Sequence, residues 1–227
     1  MALIQTLLII GGISAMVMIT LNVINILQAG SKKPDGRTMA EILGVAPETA
    51  TYGDIEKLSR KDKMQLFYAA GTPDFSTFNG EYEARILSGG ILGKSSALFT
   101  HHVFPTGKIT FRTAWIGKAF KPLATDSGIG YNIFSQKTSA SAVSKRRLRP
   151  MRTSMGPSKA GKDGKMSFLV DYSADNTGTI HSMRDEIRQI NDTLFIGTGY
   201  MGLGGGPINP APFALIGPPT EWVGVGK

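Results

Sequence analysis

Residues 1–31 carry no charged side chain, and Lys32 and Lys33 follow at once. Leu7, Leu8, Ile9, Ile10, Ile13, Met16, Val17, Met18, Ile19, Leu21, Val23, Ile24, Ile26 and Leu27 make this run strongly apolar. About 20 apolar residues at ~1.5 Å rise cross ~30 Å of hydrocarbon, so the run predicts a transmembrane helix over residues 1–31. A secretory signal peptide is the rival reading. It needs a basic start, an apolar stretch of roughly 7–15 residues and small residues before the cleavage point. Here no Lys or Arg precedes Lys32, the run is too long, and Leu27 stands where a small residue is required. A retained anchor fits better.

One stripe of this helix is distinctive. Ile4, Leu8, Gly11, Ala15, Met18, Asn22 and Asn25 follow a 4-3-4-3 spacing and so share a face. Small residues let helices approach closely in lipid, and Asn amides facing lipid lack partners. Gly11, Ala15, Met18, Asn22 and Asn25 are therefore expected to pack against a neighbouring helix; the simpler reading puts the Asn pair at headgroup level. Lys32, Lys33 and Arg37 beyond the helix place the larger domain on the cytoplasmic, stromal or matrix side. The absence of cysteine excludes disulfides and thiolate metal sites and agrees with that placement.

The formal charge of +8 lies wholly beyond the anchor. That surplus suits an acidic partner surface or anionic lipid better than nucleic acid, because the basic residues are dispersed and no reading module is present. Lys145, Arg146, Arg147, Arg149 and Arg152, after the small polar stretch Ala140–Ser144, form the densest cluster. They read as a docking patch or, more simply, as a solvated strand edge that discourages pairing.

Residues 32–77 read as a short helical linker. Thr38 with Glu41 makes a capping box for a helix through Ile42 and Leu43. Asp54 and Ser59 are the expected N-caps of Ile55–Leu58 and Arg60–Ala70, with Gly71 and Pro73 as stops. From residue 78 the pattern turns strand-like. Tyr82-Ala84-Ile86, Ile109-Phe111-Thr113, Ile129-Tyr131-Ile133 and Met166-Phe168-Val170-Tyr172 each alternate with other residues. Residues 180–190 fit helical spacing, yet Asn191-Asp192 before Leu194–Ile196 favours a hairpin. Residues 78–227 thus predict a mainly β domain, an antiparallel barrel or sandwich of about seven or eight strands. Its tail, Gly202 to Pro219, is too rich in Gly and Pro for helix and reads as an extended wrapping segment.

Catalytic motifs fail on inspection. Gly197-Thr198-Gly199-Tyr200-Met201-Gly202 spells G-x-G-x-x-G, but Leu203-Gly204-Gly205-Gly206-Pro207 cannot start the helix a dinucleotide needs. Gly89–Ser95 falls one residue short of a phosphate loop, with Ser88 where Gly is required, and Phe168–Asp171 is a weak partner strand. His101, His102 and His181 are the histidines, and two adjacent ones do not share a metal easily. Asp185 and Glu186 are likewise adjacent; with Arg184 and Arg188 they suit cross-strand ion pairs. No nucleophile elbow occurs. No catalytic residue, metal or cofactor is assigned.

Five strings together resemble an uncharacterised family of small calycin-like (lipocalin-like) barrel proteins: Phe78–Tyr82, Trp115–Lys118, Arg184–Arg188, Leu194–Gly197 and Pro212–Gly217. The resemblance covers about Phe78 to Gly217. It implies a barrel whose interior takes an apolar ligand, and it brings no catalytic residues. Two functions follow. The first is a non-catalytic accessory subunit of a photosystem or respiratory membrane complex, with a thylakoid setting favoured and other subunits as partners. The second is a membrane-tethered carrier of lipid, isoprenoid or pigment, with Tyr82, Phe111, Trp115, Tyr131, Phe168 and Tyr172 lining its cavity. Aromatic residues at such spacings are more simply core.

Overall fold

The computed structural model describes residues 2–30, 32–87, 89–138 and 142–226, and the side chains of 2–4, 7–9 and 203 are outside the described set. The side chains of Ile4 and Leu8 in the helical stripe, and Ser88 and residues 140–141 of the polar stretch, therefore lie outside the described set. Helix α1 (Ala2–Gln28) is followed by α2 (Met39–Leu43), α3 (Tyr52–Glu56) and α4 (Arg60–Ala69). The barrel strands are β1 (Gly80–Ile86), β2 (Thr113–Pro122), β3 (Ser127–Lys137), β4 (Val143–Pro157), β5 (Met166–Asp171), β6 (Arg184–Asn191), β7 (Leu194–Tyr200) and β8 (Ala211–Thr220). A short helix α5 (Gly93–Leu98) runs into a π-helical turn, Phe99–Val103, between β1 and β2.

Each strand pairs antiparallel with the next, and β8 returns to β1, so the sheet closes as an eight-stranded meander. Closure removes both sheet edges and decides between the two expected architectures in favour of the barrel. Residues 184–191 are strand and turn at Asp192-Thr193 into β7, the favoured hairpin, while Ile180 sits in a 3-10 turn.

One end of the barrel is plugged with rings. Phe75 and Phe78, from the turn before β1, enter it and meet Tyr82, Phe120, Phe168 and Phe195. Phe78 and Phe168 lie 4.0 Å apart between centroids, tilted by 37°. Aromatic pairs at such offsets add to the area that they bury.

The helical region is no free linker. Ile42, Leu43, Ile55, Met64, Leu66 and Phe67 are buried with Leu194, Ile196 and Ala214 of the outer wall, so α2–α4 form a second layer. Thr38 and Glu41 make the expected capping box, and Ser59 caps α4. Asp54 is not an N-cap: Thr51 is, and Asp54 returns its carboxylate to the Thr51 N–H from the third helical position.

The Gly/Pro-rich tail also differs from expectation. Its first part makes two 3-10 turns, Gly202–Gly204 and Gly206–Ile208, and the rest is the closing strand β8. Wrapping falls to the residues beyond it. Val223 and Gly224 donate backbone N–H groups to the Tyr131 hydroxyl, and the Trp222 ring sits 4.5 Å from that of Tyr131.

Within α1, Ile10–Gln28 is long and apolar enough to cross a membrane, with hydropathy 1.9; a signal sequence near the N-terminus meets the same criterion. Most of its described side chains are exposed, including Ile13, Met16 and Ile19.

Candidate functional site

Opposite the aromatic plug, the barrel mouth holds a cavity of about 290 Å³. Its walls are Phe99 and Phe104 from the segment between β1 and β2, Trp115 of β2, Met183 before β6, Met201 after β7 and Phe213 of β8. Met18, Asn22 and Asn25 of α1 close one side. Lys118 and Asp185 form its floor.

The floor depends on a β-bulge. The β2–β3 register shifts between Trp115 and Gly117, so two residues of β2 oppose one of β3. Trp115 and Lys118, three apart, consequently both point inward, whereas strict alternation would send one outward. Asn132 is paired with Lys118 across the ladder and also faces in.

Lys118 is 2% exposed and Asp185 1%. The ammonium donates to Asp185 Oδ2 at 2.7 Å, to the Tyr172 hydroxyl at 2.6 Å and to Asn132 Oδ1 at 3.0 Å. All three of its hydrogens are thereby used. The rings of Trp115, Tyr172 and Phe213 surround it at 5.3–5.4 Å. Burial pulls the Lys118 amine below its ordinary value, and the Asp185 charge opposes that pull. Burial holds the Tyr172 phenol well above its own.

Asp185 is less complete. Oδ2 accepts from Lys118 and, at 2.9 Å, from Tyr172. Oδ1 receives no hydrogen bond among the described residues. It lies beside Gly199, a wall residue where an added Cβ would come within 2.8 Å of it. Glycine at this point leaves the oxygen uncovered.

The end of α1 is bonded to the mouth. Asn25 is buried and donates to Asn209 Oδ1 at 2.6 Å; Asn209 in turn donates to Asn22 Oδ1 at 2.9 Å. Arg60 of α4 donates to the Asn25 carbonyl at 3.1 Å and to that of Pro210 at 2.9 Å. The Ile91 N–H donates to Gln28 Oε1 at 2.7 Å. Asn22 and Asn25 thus bind this chain's own loops, while an added Cβ at Gly11 meets nothing within 4 Å.

Of the six expected cavity-lining rings, Trp115 alone reaches this cavity. Tyr82 and Phe168 are in the packed plug, and Tyr172 contributes to the floor network through its hydroxyl. Tyr131 faces outward, in a separate cluster with Ala119 and Ile133. Phe111 is 77% exposed in the turn before β2, which begins at Thr113 and not at Ile109.

The basic cluster is dispersed along β4. Arg147 pairs with Glu81 at 2.6 Å, and Arg152 with Asp175 at 3.1 Å. Arg149, in the left-handed region at φ 59°, donates to the Phe104 carbonyl at 2.7 Å. Arg146 donates to Gln136 Oε1 at 3.3 Å, and Lys145 is exposed.

The Arg184–Arg188 string also separates. Arg184 meets Asp171 across the strands at 3.2 Å, Asp185 faces Lys118, and Arg188 meets Asp163 at 2.7 Å on the outer wall. Glu186 accepts from Ser158, Tyr200 and the backbone of Lys159 and Ala160. His101 accepts from the Trp115 N–H at 3.0 Å. No grouping of metal-ligating side chains occurs among the described residues.

Sequence reasoning missed Lys118, Asn132 and the inward role of Asp185. The available signal was phase: each stands two residues from an interior ring or aliphatic, Phe120, Phe134 and Ile187 respectively.

No protein-family model and no curated protein matches the chain. Among solved structures, it is similar to a crystal structure of a protein from Thermomonospora curvata, at 15% identity and a TM-score of 0.44, over 78% of this chain and 94% of that one.

Proposed function

We propose that this chain is a membrane-tethered binding protein for a small apolar molecule of lipid type, held at the barrel mouth. The cavity beside α1 carries the reading. It is walled by apolar side chains with a few polar groups converging on one floor, the usual make-up of small-molecule sites, and its volume lies just below their ~300–1,000 Å³ range. Met18, Asn22 and Asn25 place its rim at the last turns of a helix that otherwise exposes apolar side chains. A ligand can then pass between bilayer and barrel without crossing water. The bonds of Asn25 and Gln28 to the domain support retention of α1 as an anchor. The eight-stranded meander supports the calycin-like reading.

The test uses the full chain in lipid nanodiscs, titrated with 1-decanol and decane, binding being read by the change in Trp115 emission in a Trp222→Phe background. Saturable binding that Ser96→Phe, on the cavity wall, weakens at least tenfold is expected. Absence of saturable binding by either probe overturns the reading.

An accessory-subunit role is the second reading, favoured by Gly11, whose surroundings are open on an exposed helix. It predicts that the chain, gently extracted from native membranes, migrates in one large stoichiometric complex that Gly11→Leu disperses. Migration alone overturns it.

A further inference from the structure

The proposed lipid site has a polar end whose chemistry is unusually restricted. Lys118 has no hydrogen left to offer, because Asp185, Tyr172 and Asn132 take all three. Tyr172 donates its single hydrogen to Asp185 Oδ2. Asn132 Nδ2 donates to the Tyr172 hydroxyl at 3.1 Å, and Trp115 Nε1 to Asn132 Oδ1 at 3.0 Å. Every side-chain donor on the floor is therefore engaged. The open position is an acceptor, Asp185 Oδ1, on a side chain that is 1% exposed and lies beside Gly199.

We infer that the cavity selects an apolar molecule ending in a neutral hydroxyl, a long-chain or cyclic alcohol, whose O–H donates to Asp185 Oδ1. The inference rests on the proposed binding role. A carboxylate or phosphate end would bring its own lone pairs against Oδ1 and find no free side-chain donor on that floor to replace water, a severe cost for a buried anion. An ammonium end would find a carboxylate already neutralised by Lys118 and would lie close to that second positive charge. A hydroxyl adds one donor without adding charge. A hydrogen bond to a charged acceptor is among the stronger ones in proteins. A site built on one such bond discriminates against ligands lacking the donor, because the buried oxygen is then left bare.

Four probes of matched length separate the alternatives: 1-decanol, its methyl ether, decanoate and decylamine, titrated into the full chain in nanodiscs. 1-Decanol is expected to bind about tenfold or more tightly than each of the others. The key variant is Lys118→Met with Asp185→Leu, since replacing both members of a buried pair with apolar side chains is tolerated far better than removing one. It should still bind the decyl chain and should no longer distinguish alcohol from ether. A second variant, Gly199→Ala, covers Oδ1 and should lower the alcohol preference with the ion pair intact. If the ether, acid or amine matches the alcohol in the unaltered protein, the hydroxyl inference is overturned while the lipid reading stands. If no probe saturates, both fall.

Discussion

Among the described residues, two oppositely charged pairs have both side chains buried, and their surroundings set them apart. Arg188 and Asp163 lie between the outer wall and the helical layer, bonded twice, at 2.7 and 2.8 Å. The same guanidinium donates to Ser167 and to the carbonyls of Phe67, Tyr68 and Lys165, and stacks 4.5 Å from the Phe67 ring. Lys165 adds its own bonds to the carbonyls of Tyr68, Ala69 and Ala70 at the end of α4. The second pair, Lys118 and Asp185, lies beneath a cavity and leaves one carboxylate oxygen open. A charge with every partner inside the fold is architecture. A charge with one position left, facing space, is where a ligand can act.

The largest effect is expected where that contrast is sharpest. Arg188→Met strands Asp163 and deprives the end of α4 of donors, a loss of about 3–5 kcal/mol, read by urea denaturation. The paired replacements sharpen the comparison. Arg188→Met with Asp163→Leu should remain strongly destabilised, because the carbonyls of Phe67, Tyr68 and Lys165 still lack their donor. Lys118→Met with Asp185→Leu should stay within about 2 kcal/mol of the unaltered protein. Equal losses in the two double variants would erase the distinction between architecture and site.

The same contrast explains what could be read from the chain beforehand. The strand runs, the capping box at Thr38 and the hairpin at Asn191 follow from local periodicity and turn chemistry, which are properties of a few adjacent residues. Which face of a strand turned inward was harder to read. Ile129, Tyr131 and Ile133 are the more apolar face of β3, yet the interior takes Gly130, Asn132 and Phe134. The outer face is apolar because Trp222 and the residues after it cover it. Gly130 is needed inside because an added Cβ would run into the Ala119 carbonyl oxygen of the neighbouring strand, besides coming within 2.7 Å of Met151 Cε. Both facts depend on residues far away in sequence. The bulge at Ile116-Gly117 hid Lys118 similarly, since a phase counted from Trp115 puts this lysine in solvent.

Alkaline titration probes both regions at once. Burial raises Tyr68, in the helical layer, and Tyr82, in the aromatic plug, each to about 12. In the unfolded chain both titrate near ~10. Their stabilisation is therefore complete below pH ~10 and is lost as pH rises toward 12, on the order of 2–3 kcal/mol for each. Phenolate absorbance and loss of circular dichroism should coincide between pH 10 and 12, with Tyr68→Phe and Tyr82→Phe each making the transition less steep. Ionisation of one tyrosine ahead of the dichroism change would mean that the wall layer opens separately from the barrel, and would weaken its description as fixed architecture.

The smallest effect contrasts two aromatic residues, both expected to line a cavity, that the fold places outside the interior. Tyr131 donates to Glu81 at 2.7 Å and accepts the N–H groups of Val223 and Gly224, each at 3.1 Å. Glu81 keeps Arg147 when the hydroxyl is removed, so the loss falls on the tail. Tyr131→Phe should cost about 1 kcal/mol and speed amide exchange at Val223 and Gly224, leaving the barrel strands unchanged. Phe111 touches little beyond the His102 ring, 5.3 Å away, and Phe111→Ser should stay within about 0.5 kcal/mol of the unaltered protein. An inward Tyr131 would reverse the pattern, with slower loss at the tail and faster exchange in β3. Exchange measured residue by residue therefore tests the phase of β3, on which the inward placement of Asn132, and with it the whole polar floor, depends.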